Sequence, residues 1–73
     1  MQINEFVKEK RRFANLTQPE LAEKAGVGLR FVRELEQGKE TLRMDKVNQV
    51  LKLFGYQVGA VQVDRNIITD EKS

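Results

Sequence analysis

The chain has 73 residues, with 13 Lys and Arg against 11 Asp and Glu, a formal net charge of +2, and neither Cys nor His. A single domain of this size that lacks disulfides and the usual zinc ligands depends on apolar packing, with oligomerisation as a further source of stability. The missing Cys and His also exclude most nucleophile–base pairs and metal-dependent hydrolysis, so we expect neither enzyme activity nor a cofactor.

The sequence also bears on location and on the class of partner. No apolar run approaches the length of about 20 residues that crosses a bilayer, and the first residues lack the apolar core of a signal peptide. We therefore expect a cytoplasmic protein with no membrane partner. The slight excess of basic residues is compatible with nucleic-acid binding but does not require it.

The first predicted helix spans residues 3–14, because apolar residues recur on one face at helical spacing. This face consists of Ile3, Phe6, Val7 and Ala14, with Lys10 between them. Phe13 lies off the face, so it either widens the core or touches a partner. Arg11 lies near the apolar edge, where we expect it to be partly buried.

The next two helices are predicted by the signals at their ends. Thr17 and Glu20 have the spacing of a capping box, which satisfies free N–H groups at a helix start. Gly26 can end this helix, which starts at residue 18, in the left-handed conformation. A second short helix follows from residue 28 or 29 to residue 37, and Gly38 closes it. Two such short helices joined by a tight turn match the DNA-binding helix-turn-helix pattern.

A fourth helix is predicted over residues 44–54, and the pattern then changes. Apolar residues alternate from residue 56, which predicts a short β-strand over residues 56–64. The residues expected to form it are Tyr56, Val58, Val61 and Val63. Since a lone strand leaves an unpaired edge, pairing with the same strand of a second copy would give a two-fold dimer. The alternatives are a fifth helix or an extended tail laid on the core.

Residues 16–39, LTQPELAEKAGVGLRFVRELEQGK, resemble the Xre-type (lambda-repressor-like) helix-turn-helix family in their capping box, turn glycine and LExGK ending. Residues 28–58 resemble more narrowly the HipB-type antitoxins. The resemblance implies an all-α bundle of four helices with a short C-terminal β-strand paired across a homodimer. It also implies that Arg11 pairs with Glu36 and thereby ties the first helix to the third.

We expect residues 1–55 to form the DNA-binding domain, residues 56–64 the dimerisation strand, and residues 65–73 a flexible tail. In the family motif, the start of the third helix enters the major groove. The candidate base contacts here are Leu29, Arg30, Arg33 and Glu34.

These candidates differ in the base they suit. Arg30 is the best candidate to read guanine through O6 and N7, and Arg33 would reach a base or a phosphate. Leu29 either contacts a thymine methyl or packs inside. Glu34 either accepts from a cytosine amino group or points away. The alternative for both arginines is a solvated charge.

Phosphate contacts are expected from Gln18, Gly28, Lys39, Arg43 and Lys46. Gln18 stands at the start of the second helix, beside free N–H groups and the positive end of the helix dipole, although it could be an ordinary exposed residue. Gly28 replaces a Ser or Thr of many relatives and lacks their side-chain contact. The three basic residues either follow the DNA backbone or form a solvated rim.

The sequence thus predicts a sequence-specific regulator of transcription that binds double-stranded DNA as a homodimer on a palindromic operator, in association with the nucleoid. The narrower resemblance implies a repressor that is also the antitoxin of a HipA-like kinase, for which Ile67 and Ile68 are candidate anchors. The alternatives are a standalone Xre-type repressor and a helical interaction module that does not bind DNA.

Overall fold

The computed structural model describes residues 2–62 as four α-helices joined by short turns. The helices are α1 (Ile3–Phe13), α2 (Gln18–Ala25), α3 (Leu29–Gln37) and α4 (Met44–Leu53). Every predicted helix is confirmed, and each end lies within one residue of its predicted position. Within the described range, no helix combines the length and the apolar character that crossing a membrane requires.

Local end signals set the lengths of α2 and α3. The Thr17 hydroxyl accepts from the Glu20 N–H at 3.2 Å, and the Glu20 carboxylate accepts from the Thr17 N–H at 2.8 Å, so the capping box forms. Gly26 ends α2 with φ 74° and Gly38 ends α3 with φ 86°. These left-handed conformations cost glycine little. As a result, a turn of only three residues separates α2 from α3.

The core lies where the four helices meet. Its buried residues are Val7 of α1, Leu21 and Ala22 of α2, Val32 and Leu35 of α3, and Val47, Val50 and Leu51 of α4. Val27, in the turn between α2 and α3, packs against this cluster. Phe13 is 86% exposed and therefore does not widen the core. Full burial of each Val or Leu in this cluster contributes about 1.5–3 kcal/mol to folding.

Arg11 and Glu36 join α1 to α3 at the edge of this core. The Arg11 Nε and Nη2 donate to the two carboxylate oxygens of Glu36 at 2.6 and 3.0 Å. The Arg11 Nη1 donates to the Leu16 carbonyl at 2.8 Å. The Glu36 side chain is only 2% exposed and that of Arg11 13%. This is a two-pronged, charge-assisted contact that has largely lost its water.

The segment after α4 differs from its prediction. Residues 56–62 contain no β-strand. Tyr56 instead contacts Phe6 edge to face with ring centroids 4.8 Å apart, and the Val58 N–H donates to the Asn48 Oδ1 at 2.7 Å. A strand needs a neighbour for its backbone groups, and a single chain with four helices offers none, so Val58 uses a side-chain acceptor. Val63, Ile67, Ile68 and the predicted tail at residues 65–73 lie outside the described residues.

We expect Arg11→Met to lower the free energy of unfolding by roughly 3–5 kcal/mol, because Glu36 would keep a buried charge without its partner. The double variant Arg11→Met/Glu36→Leu should lose less than the sum of the two single variants, since it leaves neither charge unpaired. Urea unfolding followed by circular dichroism measures all three differences. Losses that simply add would show that the two side chains act independently.

Candidate nucleic-acid interface

The start of α3 presents two of its candidate side chains, those of Arg30 and Arg33, to solvent. Because Val32, Leu35 and Glu36 are buried, the helical period leaves Arg30 and Arg33 on the outer side. The Arg30 side chain is 93% exposed. Arg33 is exposed and forms no ion pair within residues 2–62. Both arginines can therefore reach a ligand without breaking any buried contact.

The two residues that precede Arg30 differ in their surroundings. Gly28 is the N-cap of α3, in an extended conformation with φ −74° and without a side-chain cap. Its surroundings are open, since no atom would lie within 4 Å of an added Cβ. Leu29 is half-buried and packs against the core, so only part of its side chain is free for a thymine methyl.

Glu34 lies between two of the predicted DNA-contacting cations. Its Oε2 is 3.5 Å from the Arg30 Nε and 3.3 Å from the Lys39 Nζ. The Lys39 backbone N–H also donates to the Glu34 carbonyl at 3.1 Å. The Glu34 side chain is 27% exposed. Its carboxylate points towards both cations and pairs with each of them.

Gln18 is part of the contact between α1 and α3. Its Nε2 donates at 3.0 Å to the Glu36 Oε1, which also accepts from the Arg11 Nη2. Gln18 is half-buried and is therefore not an ordinary exposed side chain. The start of α2 is in this way joined to the same carboxylate that joins α1 to α3.

These contacts control the ionisation of Glu36. Burial by itself would raise the pKa of Glu36. The hydrogen bonds from Arg11 and Gln18, together with the positive charge of Arg11, outweigh the burial and hold the pKa below its ordinary value of 4.5. Glu36 is accordingly an ionised carboxylate in the folded protein at neutral pH.

The loop after α3 and the start of α4 carry the remaining basic candidates. Arg43 forms a two-pronged pair with Asp45, at 2.7 and 3.2 Å, and both side chains are well exposed. Lys39 is exposed and Lys46 is half-buried. Within the described part of the chain, no ion pair or side-chain hydrogen bond joins Arg43 or Lys46 to the cluster of Arg30, Glu34 and Lys39.

Two supporting residues on α4 were not predicted from the sequence. The Gln49 Nε2 donates at 3.3 Å to the carbonyls of Ala25 and Gly26, and so supplies donors to the C-terminal end of α2. Asn48 accepts from Val58 and holds the segment after α4. Residues 2–62 contain no group of ligands that could hold a metal ion.

Comparison with known proteins points to one family. A family model with the description HTH_3: Helix-turn-helix matches residues 7–60, a range that includes α2, α3, α4 and the loop between the last two. A protein of Sinorhizobium fredii (strain NBRC 101917 / NGR234), named Uncharacterized HTH-type transcriptional regulator y4mF, is 48% identical over 56 residues. The similar part covers 77% of this chain and 74% of that protein.

The lowered pKa of Glu36 makes stability depend on pH. Its contribution should be complete above the ordinary value of 4.5 and be lost as the pH falls through the lower pKa of the folded state. Glu20 and Asp45, whose pKa values are also lowered, should act in the same direction. We expect Glu36→Gln to lose less stability than the wild type between about pH 7 and pH 3. Urea midpoints across this interval test the expectation, and parallel curves would contradict it.

Proposed function

This chain belongs to the HTH_3 helix-turn-helix family, and from that membership we propose that it represses transcription by binding a specific operator in double-stranded DNA as a homodimer. The family match and the similar regulator of Sinorhizobium fredii indicate a DNA-binding regulator of transcription and not an enzyme. The observation that most supports recognition of a specific DNA sequence is the exposed start of α3, where the Arg30 side chain is 93% exposed. Since its proposed ligand is chromosomal DNA, we expect the protein to act in the cytoplasm at the nucleoid.

Base reading is assigned in this proposal to the outer side of α3. Arg30 would donate to O6 and N7 of a guanine, which is the commonest specific contact in the major groove. Arg33, three residues further along the helix, would reach a neighbouring base or a phosphate. The exposed part of Leu29 would contact a thymine methyl, and Glu34 would accept from a cytosine amino group.

Phosphate binding is assigned to residues around this helix. They are Gln18 at the start of α2, Gly28 at the N-cap of α3, Lys39 and Arg43 in the loop, and Lys46 in α4. Lys39 and Arg43 now pair with acids, but exposed ion pairs contribute little, so phosphates can replace those acids. Gln18, fixed by Glu36, would present the first N–H groups of α2 to a phosphate. Contacts of this kind make affinity fall steeply with salt.

A homodimer is supported by an apolar groove between α1, α4 and the segment that follows. The groove has a volume of about 640 Å³ and is lined by Ile3, Phe6, Leu51 and residues 56–61. Val61 is 84% exposed and Tyr56 47%, although both are apolar or aromatic. Exposed apolar surface of this kind suits a protein partner, and a small core gains stability from a second copy.

The narrower proposal is that the protein is also the antitoxin of a HipA-like kinase. It is supported by the resemblance of residues 28–58 to HipB-type antitoxins. A gene for such a kinase beside the gene of this chain, with co-purification of the two products, would support the partnership. A gene that stands alone would favour a standalone Xre-type repressor.

Selection of binding sites from a random duplex library tests the DNA-reading proposal. We expect an inverted repeat whose half-sites lie roughly 34–36 Å apart, with binding much weaker at about 200 mM than at about 50 mM salt. Arg30→Ala should lose roughly 1–3 kcal/mol and relax the preference at one base pair. Arg12→Ala, which removes the same charge from the exposed side of α1, is the control.

The possible outcomes of this selection are distinct. Uniform weakening of Arg30→Ala on all sequences would make Arg30 a phosphate contact. No enrichment at either salt concentration would overturn the DNA-reading proposal and favour a helical interaction module.

The dimer is tested with Val61→Asp, which puts a charge on the exposed wall of the groove. We expect analytical ultracentrifugation to find a dimer for the wild type and a monomer for Val61→Asp, because the charge would lose its water at the interface. Phe13→Asp is a matched control, since Phe13 is 86% exposed but lies outside the groove. A monomeric wild type, or an equal effect of the two substitutions, would refute this interface.

A further inference from the structure

Glu34 is an acid that contacts two of the basic side chains proposed to bind DNA. It follows Arg33 on α3 and contacts both Arg30, one turn earlier, and Lys39 in the loop. Both cations approach the same carboxylate oxygen, at 3.5 and 3.3 Å. One negative charge thus offsets part of the positive charge of two cations that are proposed to bind DNA.

The stability of the fold does not explain why an acid lies at this position. Arg30 is 93% exposed and Lys39 48%, and exposed ion pairs of this kind contribute little to folding. A carboxylate at a phosphate-binding surface, in contrast, repels every DNA molecule regardless of sequence. Glu34 therefore weakens binding to DNA of any sequence and adds little to the stability of the fold.

A hydrogen-bond donor on a DNA base can offset this loss of affinity. When a guanine and a phosphate take over Arg30 and Lys39, the Glu34 carboxylate needs a new donor. In the major groove, cytosine presents its N4 amino group with no acceptor on the same base. Guanine and thymine present acceptors to this edge, and adenine presents its N7 acceptor beside the amino group. Cytosine is the base whose own major-groove edge offers the carboxylate a donor and no acceptor.

We propose that Glu34 is a specificity-determining residue that lowers the affinity for DNA in general and is compensated only where a cytosine amino group faces it; this inference rests on the proposed DNA-reading function. Arg30 and Glu34 are four residues apart and hence on one side of α3, about 6 Å along its axis. Base pairs are spaced about 3.4 Å apart, so the cytosine should lie within about two base pairs of the guanine that Arg30 reads.

The test compares Glu34→Gln with Glu9→Gln, which removes the same charge from the exposed side of α1. Fluorescence anisotropy measures binding to three duplexes: the selected operator, the operator with the cytosine replaced, and an unrelated sequence. Glu34→Gln should bind the unrelated duplex about fivefold more tightly, the effect of one charge pair near 4 Å in water. It should also lose the preference for cytosine at that position.

Each result decides between two interpretations. If Glu34→Gln and Glu9→Gln change binding to the unrelated duplex equally, and the cytosine preference persists, Glu34 is an ordinary surface acid and the inference is wrong. If the wild type itself enriches no sequence, the proposed function fails instead, and this is visible before any variant is made. Circular dichroism of each variant establishes that it is folded.

Discussion

The arrangement of the first three helices depends on one buried carboxylate. Glu36 of α3 accepts from Arg11 of α1 through both oxygens and from Gln18 of α2 through one of them. Aliphatic side chains such as those of this core pack well in more than one alignment, whereas hydrogen bonds to a charged group have a fixed direction. Glu36 therefore fixes the start of α2 against α3, and with it the relation between the proposed phosphate-binding and base-reading side chains.

The helices could be predicted from the sequence because their signals are local. The capping box of Thr17 and Glu20 lies within one turn, and Gly26 and Gly38 end helices by their own conformational freedom. The contact between Arg11 and Glu36 spans 25 residues, and only the family resemblance suggested it. Spacing alone carries no information on such a pair.

Other features depend on contacts that no local pattern contains. The alternating residues after α4 predict a strand, but a strand also needs a backbone partner, and the Val58 N–H finds the Asn48 side chain instead. The position of Gln18 at a helix start predicts a phosphate contact, yet its amide donates to Glu36 on another helix. The spacing of Arg30 and Glu34 indicates an ion pair, whereas the approach of Lys39 to Glu34 depends on how the chain leaves α3 at Gly38.

The ion pairs of Arg30, Lys39 and Arg43 also explain why the amino-acid composition says little about DNA binding. The net charge is only +2, and Arg30, Lys39 and Arg43 each have an acid within 3.5 Å. In the proposed function, phosphates would replace these acids, and the gain from each phosphate would be reduced by the ion pair it replaces. The proposed affinity for arbitrary DNA is therefore lower than the number of basic side chains on this surface would give. In that proposal, discrimination between DNA sequences depends on contacts with base edges, which a count of charges does not register.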